Sequence, residues 1–171
     1  MADIASILEL APVIPALVLE DAAHAVPIAE ALVGGGLPVL EVTLRTPAAL
    51  DVIRAMKTVP GAVVGAGTVL NPAQMAEALD AGSEFIVSPG LTETLGEAAR
   101  GRKVPPLPGI ANAGDIMRGL EMGFRNFKFF PAMAAGGIPA LKALIAPFGG
   151  VRFCPTGGIT PATARDWLDI P

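Results

Sequence analysis

A single lysine stands among three phenylalanines in the stretch "NFKFFPA", residues 126–132. A charged amine is rarely fully buried unless a partner pairs with it or a reaction uses it. Alternate side chains of a strand face opposite sides, so Lys128 shares a face with Asn126 and Phe130, and its two phenylalanine neighbours share the other. We therefore expect the amine of Lys128 to point into an apolar interior. A neutral amine in such a place can attack a carbonyl carbon.

A second strand carries a matching set of polar residues in "LEVTLR", residues 40–45. By the same alternation Glu41, Thr43 and Arg45 share one face of that strand. Two strands would thus offer a carboxylate, a guanidinium and an amine to one interior. Two other interpretations stay open: Lys128 as a charge that protects an edge strand from aggregation, and Glu41 with Arg45 as a purely structural ion pair.

A glycine turn in "CPTGGITP", residues 154–161, predicts an anion site. Glycines allow backbone N–H groups to approach an anion, and a helix N-terminus favours negative charge. We expect Thr156, Gly157 and Gly158 to form this turn and a helix to begin at Thr160 and Pro161. An ordinary glycine turn without a ligand is the alternative.

Two further strand ends supply candidate residues for the mouth of the site. Thr68 lies in "GAGTVL" and Pro89 in "VSPGL". Turn formation alone would also explain the glycines of these segments. Cys154 is more typical of a small buried apolar residue than of a nucleophile.

The elements that must position these residues alternate regularly along the chain. Short apolar runs separated by segments with helical patterning indicate parallel strands joined by right-handed crossovers. A doubly wound sheet and a (β/α)₈ TIM barrel both fit, and the lack of a glycine-rich turn after the first run favours the barrel. We expect one domain over residues 1–171, with an extra N-terminal helix and seven strands at 13–19, 38–44, 62–67, 84–89, 104–109, 126–131 and 151–158.

Composition excludes several classes of function. Of the 171 residues, 52 % are hydrophobic and 16 % charged, which suits strands buried on both faces. A net charge of −4 without a basic tract argues against nucleic-acid binding, and the single Cys154 excludes an intramolecular disulfide and a Cys-rich metal site. No signal peptide or membrane span is recognisable, so we expect a cytoplasmic protein that does not bind membranes.

The motifs taken together resemble one enzyme family. "LEVTLRT", "VGAGTVLNP", "SPGLT", "FKFFPA" and "VRFCPTGGITP" are similar, in register, to the 2-keto-3-deoxy-6-phosphogluconate (KDPG) and 4-hydroxy-2-oxoglutarate (KHG) aldolases. The resemblance runs from about Ile7 to the C-terminus. It implies a (β/α)₈ barrel with an N-terminal helix, a homotrimer, and a metal-free class I mechanism without a cofactor, acting on a 2-oxo acid and a phosphorylated sugar acid in the Entner–Doudoroff pathway.

The resemblance also implies roles for individual residues. Lys128 would form the Schiff base and Glu41 would be the general acid/base. Arg45 and Thr68 would bind the pyruvyl carboxylate. The remaining positions would bind or line the substrate, with the phosphate at the glycine turn: Pro89, Phe130, Thr156, Gly157 and Gly158.

Two features depart from the family pattern. The family continues with a further strand and helix that close the barrel, whereas this sequence stops at Pro171. We therefore expect the first and seventh strands to be edges. Met133 stands where the family usually has an acidic residue. A related aldolase or decarboxylase acting on 2-oxo acids, and an inactive barrel serving as a scaffold or binding module, remain the competing hypotheses.

Overall fold

The computed structural model describes residues 3–170 and contains eight parallel strands. Every pairing between them is parallel, as the alternation of runs and helices predicts. The strands are β1 (Ala16–Leu17), β2 (Val39–Thr43), β3 (Val63–Gly67), β4 (Ile86–Val87), β5 (Pro106–Leu107), β6 (Gly109–Ile110), β7 (Asn126–Phe129) and β8 (Arg152–Pro155).

The strands follow one another in chain order, β1 to β5 in one sheet and β6 to β8 in a second. The predicted fifth run forms two strands rather than one, because the pairing changes at Pro108. β5 pairs with β4, whereas β6 pairs with β7. Proline has no N–H to donate to a ladder, which explains a break there. Seven predicted runs thus give eight strands.

Helices fill the connections between strands: α1 (Ile4–Leu8), α2 (Ala25–Gly34), α3 (Ala49–Met56), α4 (Pro72–Asp80), α5 (Glu93–Arg102), α6 (Ala113–Glu121), α7 (Gly137–Ile145) and α8 (Ala164–Leu168). A short 3-10 helix, Ala22–His24, precedes α2. The predicted N-terminal helix is confirmed. The predicted start at Thr160 is wrong: α8 begins at Ala164, and the N–H of Thr160 donates to Thr163 Oγ1 at 3.0 Å. None of the helices among residues 3–170 is long and apolar enough to cross a membrane.

Two hydrophobic layers set the direction of every strand side chain. Leu40 and Val42 of β2 pack with Val64 and Ala66 of β3 in a core shared with the helices. The opposite face packs on α1, where Ile4 and Ile7 meet inward residues of β2, β4 and β5 in a second cluster with Val39, Phe85, Val87 and Leu107. The curved sheet therefore has an apolar outer face under the helices, and α1 packs against part of its inner face.

The sheet is open between its first and last strands. Among residues 3–170, β1 pairs only with β2 and β8 only with β7, so the expectation of two edges is confirmed. A cavity of about 480 Å³ lies beside this opening, and Glu41, Cys154, Thr156 and Gly157 line part of it. This volume is within the range of small-molecule sites.

Candidate active site

Lys128 and Glu41 meet in the interior. Lys128 Nζ donates a hydrogen bond to Glu41 Oε1 at 3.0 Å, and the two side chains are only 8 % and 7 % exposed. They come from β7 and β2, which belong to the two different sheets. The two sheets must therefore curve towards each other far enough to bring the inner faces of these strands into contact. The predicted placement of both groups in one interior is confirmed.

The strand containing Lys128 is not an edge. In the ladder Lys128 is paired with Gly109 on one side and with Cys154 on the other. Its flanking residues Phe127 and Phe129 are fully buried on the outer face, in a cluster with α6 and α7. The interpretation of Lys128 as a charge protecting an edge strand is therefore wrong.

Arg45 lies apart from this pair. β2 ends at Thr43, so the strand alternation that predicts an inward guanidinium no longer applies two residues later. Arg45 is exposed, and its Nε donates to Thr43 Oγ1 at 3.3 Å. The carboxylate of Glu41 pairs with Lys128 instead, so the predicted structural ion pair of Glu41 and Arg45 is not formed within residues 3–170.

Thr68 directly follows β3 and adopts a strained backbone. Its φ is 59°, in the left-handed region that a β-branched residue rarely occupies. Strain of this kind costs on the order of 1–3 kcal/mol and is concentrated at ligand-binding positions. β2 and β3 are parallel neighbours with Thr43 paired to Gly67, so Arg45 and Thr68 both follow the carboxyl ends of adjacent strands. Both residues thus lie at the same edge of the sheet, beyond the strand ends.

Phe130 links the amine to the glycine turn. Lys128 Nζ lies 5.5 Å from the centre of the Phe130 ring, which favours a cation–π contact. A side chain added at Gly157 would be 3.5 Å from Phe130 Cδ2, so the ring borders the turn directly. Pro89 contacts the lysine strand only indirectly, since its carbonyl packs against Gly109, the ladder partner of Lys128.

The glycine turn is held by the loop after β7. The N–H groups of Ala132 and Met133 donate to the carbonyls of Thr156 and Gly157 at 2.8 and 3.1 Å. Gly157 and Gly158 have φ values of 108° and 77°, which non-glycine residues rarely adopt. Within residues 3–170 the N–H groups of these two glycines bond to no protein acceptor. The free N–H donor of Gly157 therefore stands beside the cavity, and that of Gly158 belongs to the exposed next residue of the turn.

Cys154 shares the interior with the ion pair. Burial raises the pKa of the Cys154 thiol, the Glu41 carboxylate raises it further, and the Lys128 ammonium opposes this shift. The thiol is thus kept protonated, in keeping with the interpretation of Cys154 as a small apolar residue. Within residues 3–170 no cluster of three or more His, Cys, Asp or Glu side chains could hold a metal ion.

Sequence reasoning missed the contribution of two glycines. Gly65 and Gly67 lie within β3 and not in a turn, so turn formation does not explain them. Both face the interior, where Gly65 lies against the ring of Phe85 and Gly67 against the carboxyl group of Glu41. The sequence does contain a signal for these glycines: they lie two positions apart, which places both on the inward face of a predicted strand.

Comparison with known proteins places this chain in a family. The model of the KDPG and KHG aldolase family matches residues 4–171. A 2-dehydro-3-deoxy-phosphogluconate aldolase of Zymomonas mobilis is 61 % identical over 171 residues, covering 100 % of this chain and 82 % of that protein.

Two solved structures of similar aldolases carry small molecules. The 2-keto-3-deoxy-6-phosphogluconate aldolase of Zymomonas mobilis ZM4 with 3-phosphoglycerate superposes with a TM-score of 0.97 at 62 % identity, covering 99 % of this chain and 81 % of that one. The KDPG aldolase of Legionella pneumophila, with pyruvate captured as a covalent carbinolamine, gives 0.94 at 46 % identity, with 97 % and 81 % covered. The chain belongs to the KDPG and KHG aldolase family.

Proposed function

We propose that this protein is a class I aldolase that cleaves 2-dehydro-3-deoxy-6-phosphogluconate to pyruvate and glyceraldehyde 3-phosphate. It would also cleave 4-hydroxy-2-oxoglutarate to pyruvate and glyoxylate. The observation that carries the proposal is the buried contact of Lys128 with Glu41, a nucleophile and a base within hydrogen-bond reach. Membership of the family and the carbinolamine of pyruvate in the Legionella relative support it.

The contact explains how the amine becomes reactive. Glu41 Oε1 accepts the hydrogen bond from Lys128 Nζ, so it is placed to take the proton from the ammonium. The neutral amine then attacks C2 of the 2-oxo acid to give a carbinolamine. Glu41 returns the proton to the departing hydroxyl, water leaves, and an iminium forms on Lys128. Both side chains are almost fully buried, which limits competition from bulk water for this exchange.

Cleavage uses the same two residues. Glu41, directly or through a water molecule, takes the proton of the C4 hydroxyl as the C3–C4 bond breaks. The electrons of that bond move into the iminium, which becomes an enamine, and the aldehyde leaves. Protonation of the enamine at C3 and hydrolysis then release pyruvate and restore Lys128. A positioned acid or base contributes on the order of 10²–10⁴ to the rate of such a step.

The strand ends supply groups for the two charged ends of the substrate. Arg45 and Thr68 follow the carboxyl ends of β2 and β3 and would bind the pyruvyl carboxylate, which Arg can hold with two parallel hydrogen bonds. The free N–H groups of Gly157 and Gly158 would bind the phosphate, with Thr156, Phe130 and Pro89 lining the path between. The 3-phosphoglycerate in the Zymomonas structure is consistent with a site for a phosphorylated acid.

An assay of pyruvate release tests the proposal. The purified protein is supplied with the phosphorylated sugar acid or with 4-hydroxy-2-oxoglutarate, and lactate dehydrogenase reports pyruvate. We expect activity with both substrates and none in Lys128→Ala. Activity with other 2-oxo acids only would favour the related aldolase or decarboxylase. A folded protein with no activity towards any of them would favour the scaffold.

Further properties are proposed, of which the homotrimer rests on the resemblance alone. We place the protein in the cytoplasm as a homotrimer, with residues 1–171 in one barrel domain, and light scattering measures the assembly. We also propose that Lys128 supplies the electron sink without a metal or cofactor. The iminium formed on Lys128 withdraws the electrons that a metal-bound carbonyl would otherwise take up.

A further inference from the structure

We propose that Gly67 is a positioning residue for the general base: its missing side chain creates the space in which the Glu41 carboxyl group reaches Lys128. The inference rests on the proposed function, and it concerns a residue of β3 that has no side chain of its own to take part in the reaction. Gly67 acts through Glu41 alone.

The geometry shows how closely Glu41 lies over Gly67. A Cβ added at Gly67 would be 2.7 Å from Glu41 Cγ and 2.8 Å from Cδ, and closer still to Oε1. Carbon atoms in contact are about 3.5–4.0 Å apart. In the ladder Glu41 is paired with Gly65, while Gly67 is paired with Thr43. The Glu41 side chain therefore leans along the strand, towards its carboxyl end and over Gly67.

Backbone conformation does not require glycine at this position. Nine glycines of the described chain have positive φ, and Gly67 is not among them. An alanine could adopt the extended backbone of β3, so the reason for glycine is the space it leaves. The space matters because Glu41 is 5 % exposed and hydrogen-bonded to Lys128, so moving its carboxyl group away from Gly67 would break that hydrogen bond.

A methyl group at position 67 would therefore displace the carboxylate from its contact with Lys128. A misplacement of about 1 Å can reduce a rate on the order of 10²-fold. Imine formation from pyruvate, followed to equilibrium, depends on the amine, because a displaced Glu41 slows the formation of the imine and its hydrolysis alike. Exchange of the methyl protons of bound pyruvate needs, in contrast, a base that removes a proton from C3 in every event. We expect the Gly67 side chain to affect the second process far more than the first.

The experiment measures both processes with pyruvate alone. Borohydride trapping reports the imine on Lys128, and deuterium uptake into the pyruvate methyl group, followed by NMR in D₂O, reports proton transfer. In Gly67→Ala we expect exchange to slow on the order of 10²-fold while the trapped fraction stays within about twofold of the wild-type value. Exchange at the wild-type rate in Gly67→Ala overturns the inference.

Gly65 provides a matched control on the same face of the same strand. A Cβ at Gly65 would meet the ring of Phe85 at 2.5 Å rather than Glu41. Gly65→Ala should lower stability and leave exchange per folded molecule unchanged. An equal loss of exchange in Gly65→Ala and Gly67→Ala would mean that any crowding of β3 suffices, which contradicts a specific role of Gly67.

A double variant keeps the inference testable if Gly67→Ala does not fold. Glu41→Ala removes the atoms that the new methyl group would meet, so Gly67→Ala should cost no further stability in that background. A lower stability of Glu41→Ala/Gly67→Ala than of Glu41→Ala overturns the inference, and equal stability of the two supports it. Wild-type protein with neither adduct nor exchange would instead refute the proposed function.

Discussion

The contact between Lys128 and Glu41 predicts a specific pattern of stability in variants. At 3.0 Å two unit charges attract by about 5–6 kcal/mol at an effective dielectric constant of about 20. The cost of removing both charges from water offsets most of this attraction, so the pair as a whole contributes little net stability. Removing one partner, in contrast, leaves the other charge buried and unpaired.

We expect Lys128→Met or Glu41→Leu alone to lower the free energy of unfolding by about 3–5 kcal/mol. For a chain of this length the midpoint of thermal unfolding should fall by roughly 6–20 °C. The double variant Glu41→Leu/Lys128→Met replaces the pair by apolar groups of similar size. Its stability should lie within about 1 kcal/mol of the wild-type value.

Urea unfolding of the four proteins gives the coupling free energy directly. An exposed pair offers the control: Lys57 and Glu84 are 2.7 Å apart with side chains 30 % and 42 % exposed. Lys57→Met should cost no more than about 1 kcal/mol. If the losses of the two interior variants simply add in the double variant, the residues do not form a buried pair and the reasoning fails.

Three other predictions follow from the site. Thr68→Gly removes the strain of the positive φ, so we expect the free energy of unfolding to stay equal or to rise by up to about 1 kcal/mol. Loss of the hydroxyl should at the same time raise KM for the sugar acid. An unchanged KM in steady-state assays would show that Thr68 does not bind the carboxylate. The pKa of Cys154 is raised above its ordinary value of 9.0, so above pH 9.0 the unfolded thiol loses its proton while the folded thiol keeps it. Stability should therefore fall as pH rises beyond that value, and the same titration of Cys154→Ala should lack this decline; identical pH profiles would contradict it. Finally, dialysis against EDTA should leave pyruvate release unchanged, and a loss restored by a divalent cation would contradict the metal-free mechanism.

Strand alternation accounts for what the sequence predicts well. The period of two in "LEVTLR" and "NFKFFP" places Glu41 and Lys128 on inward faces, and parallel crossovers bring those faces together. The same rule fails for Arg45 because the strand ends before it, and a boundary two residues away cannot be read from hydrophobicity. The split at Pro108 likewise depends on which neighbour each half pairs with, which is a long-range property.

The sequence pattern does not predict which residues that are distant along the chain come into contact. The pairing of Glu41 with Lys128 rather than Arg45 depends on the curvature of the whole sheet, since the two partners are 87 positions apart. The role of Gly67 likewise could not be predicted from the sequence pattern. Its spacing from Gly65 is visible, but the carboxyl group that occupies the space comes from a neighbouring strand.

Borohydride trapping with pyruvate, followed by intact mass and peptide mapping, tests whether Lys128 forms the Schiff base. We predict one pyruvyl adduct, located on Lys128 and absent from Lys128→Ala. An adduct on another lysine, or none in a folded protein whose mass matches the sequence, would contradict the Schiff-base mechanism.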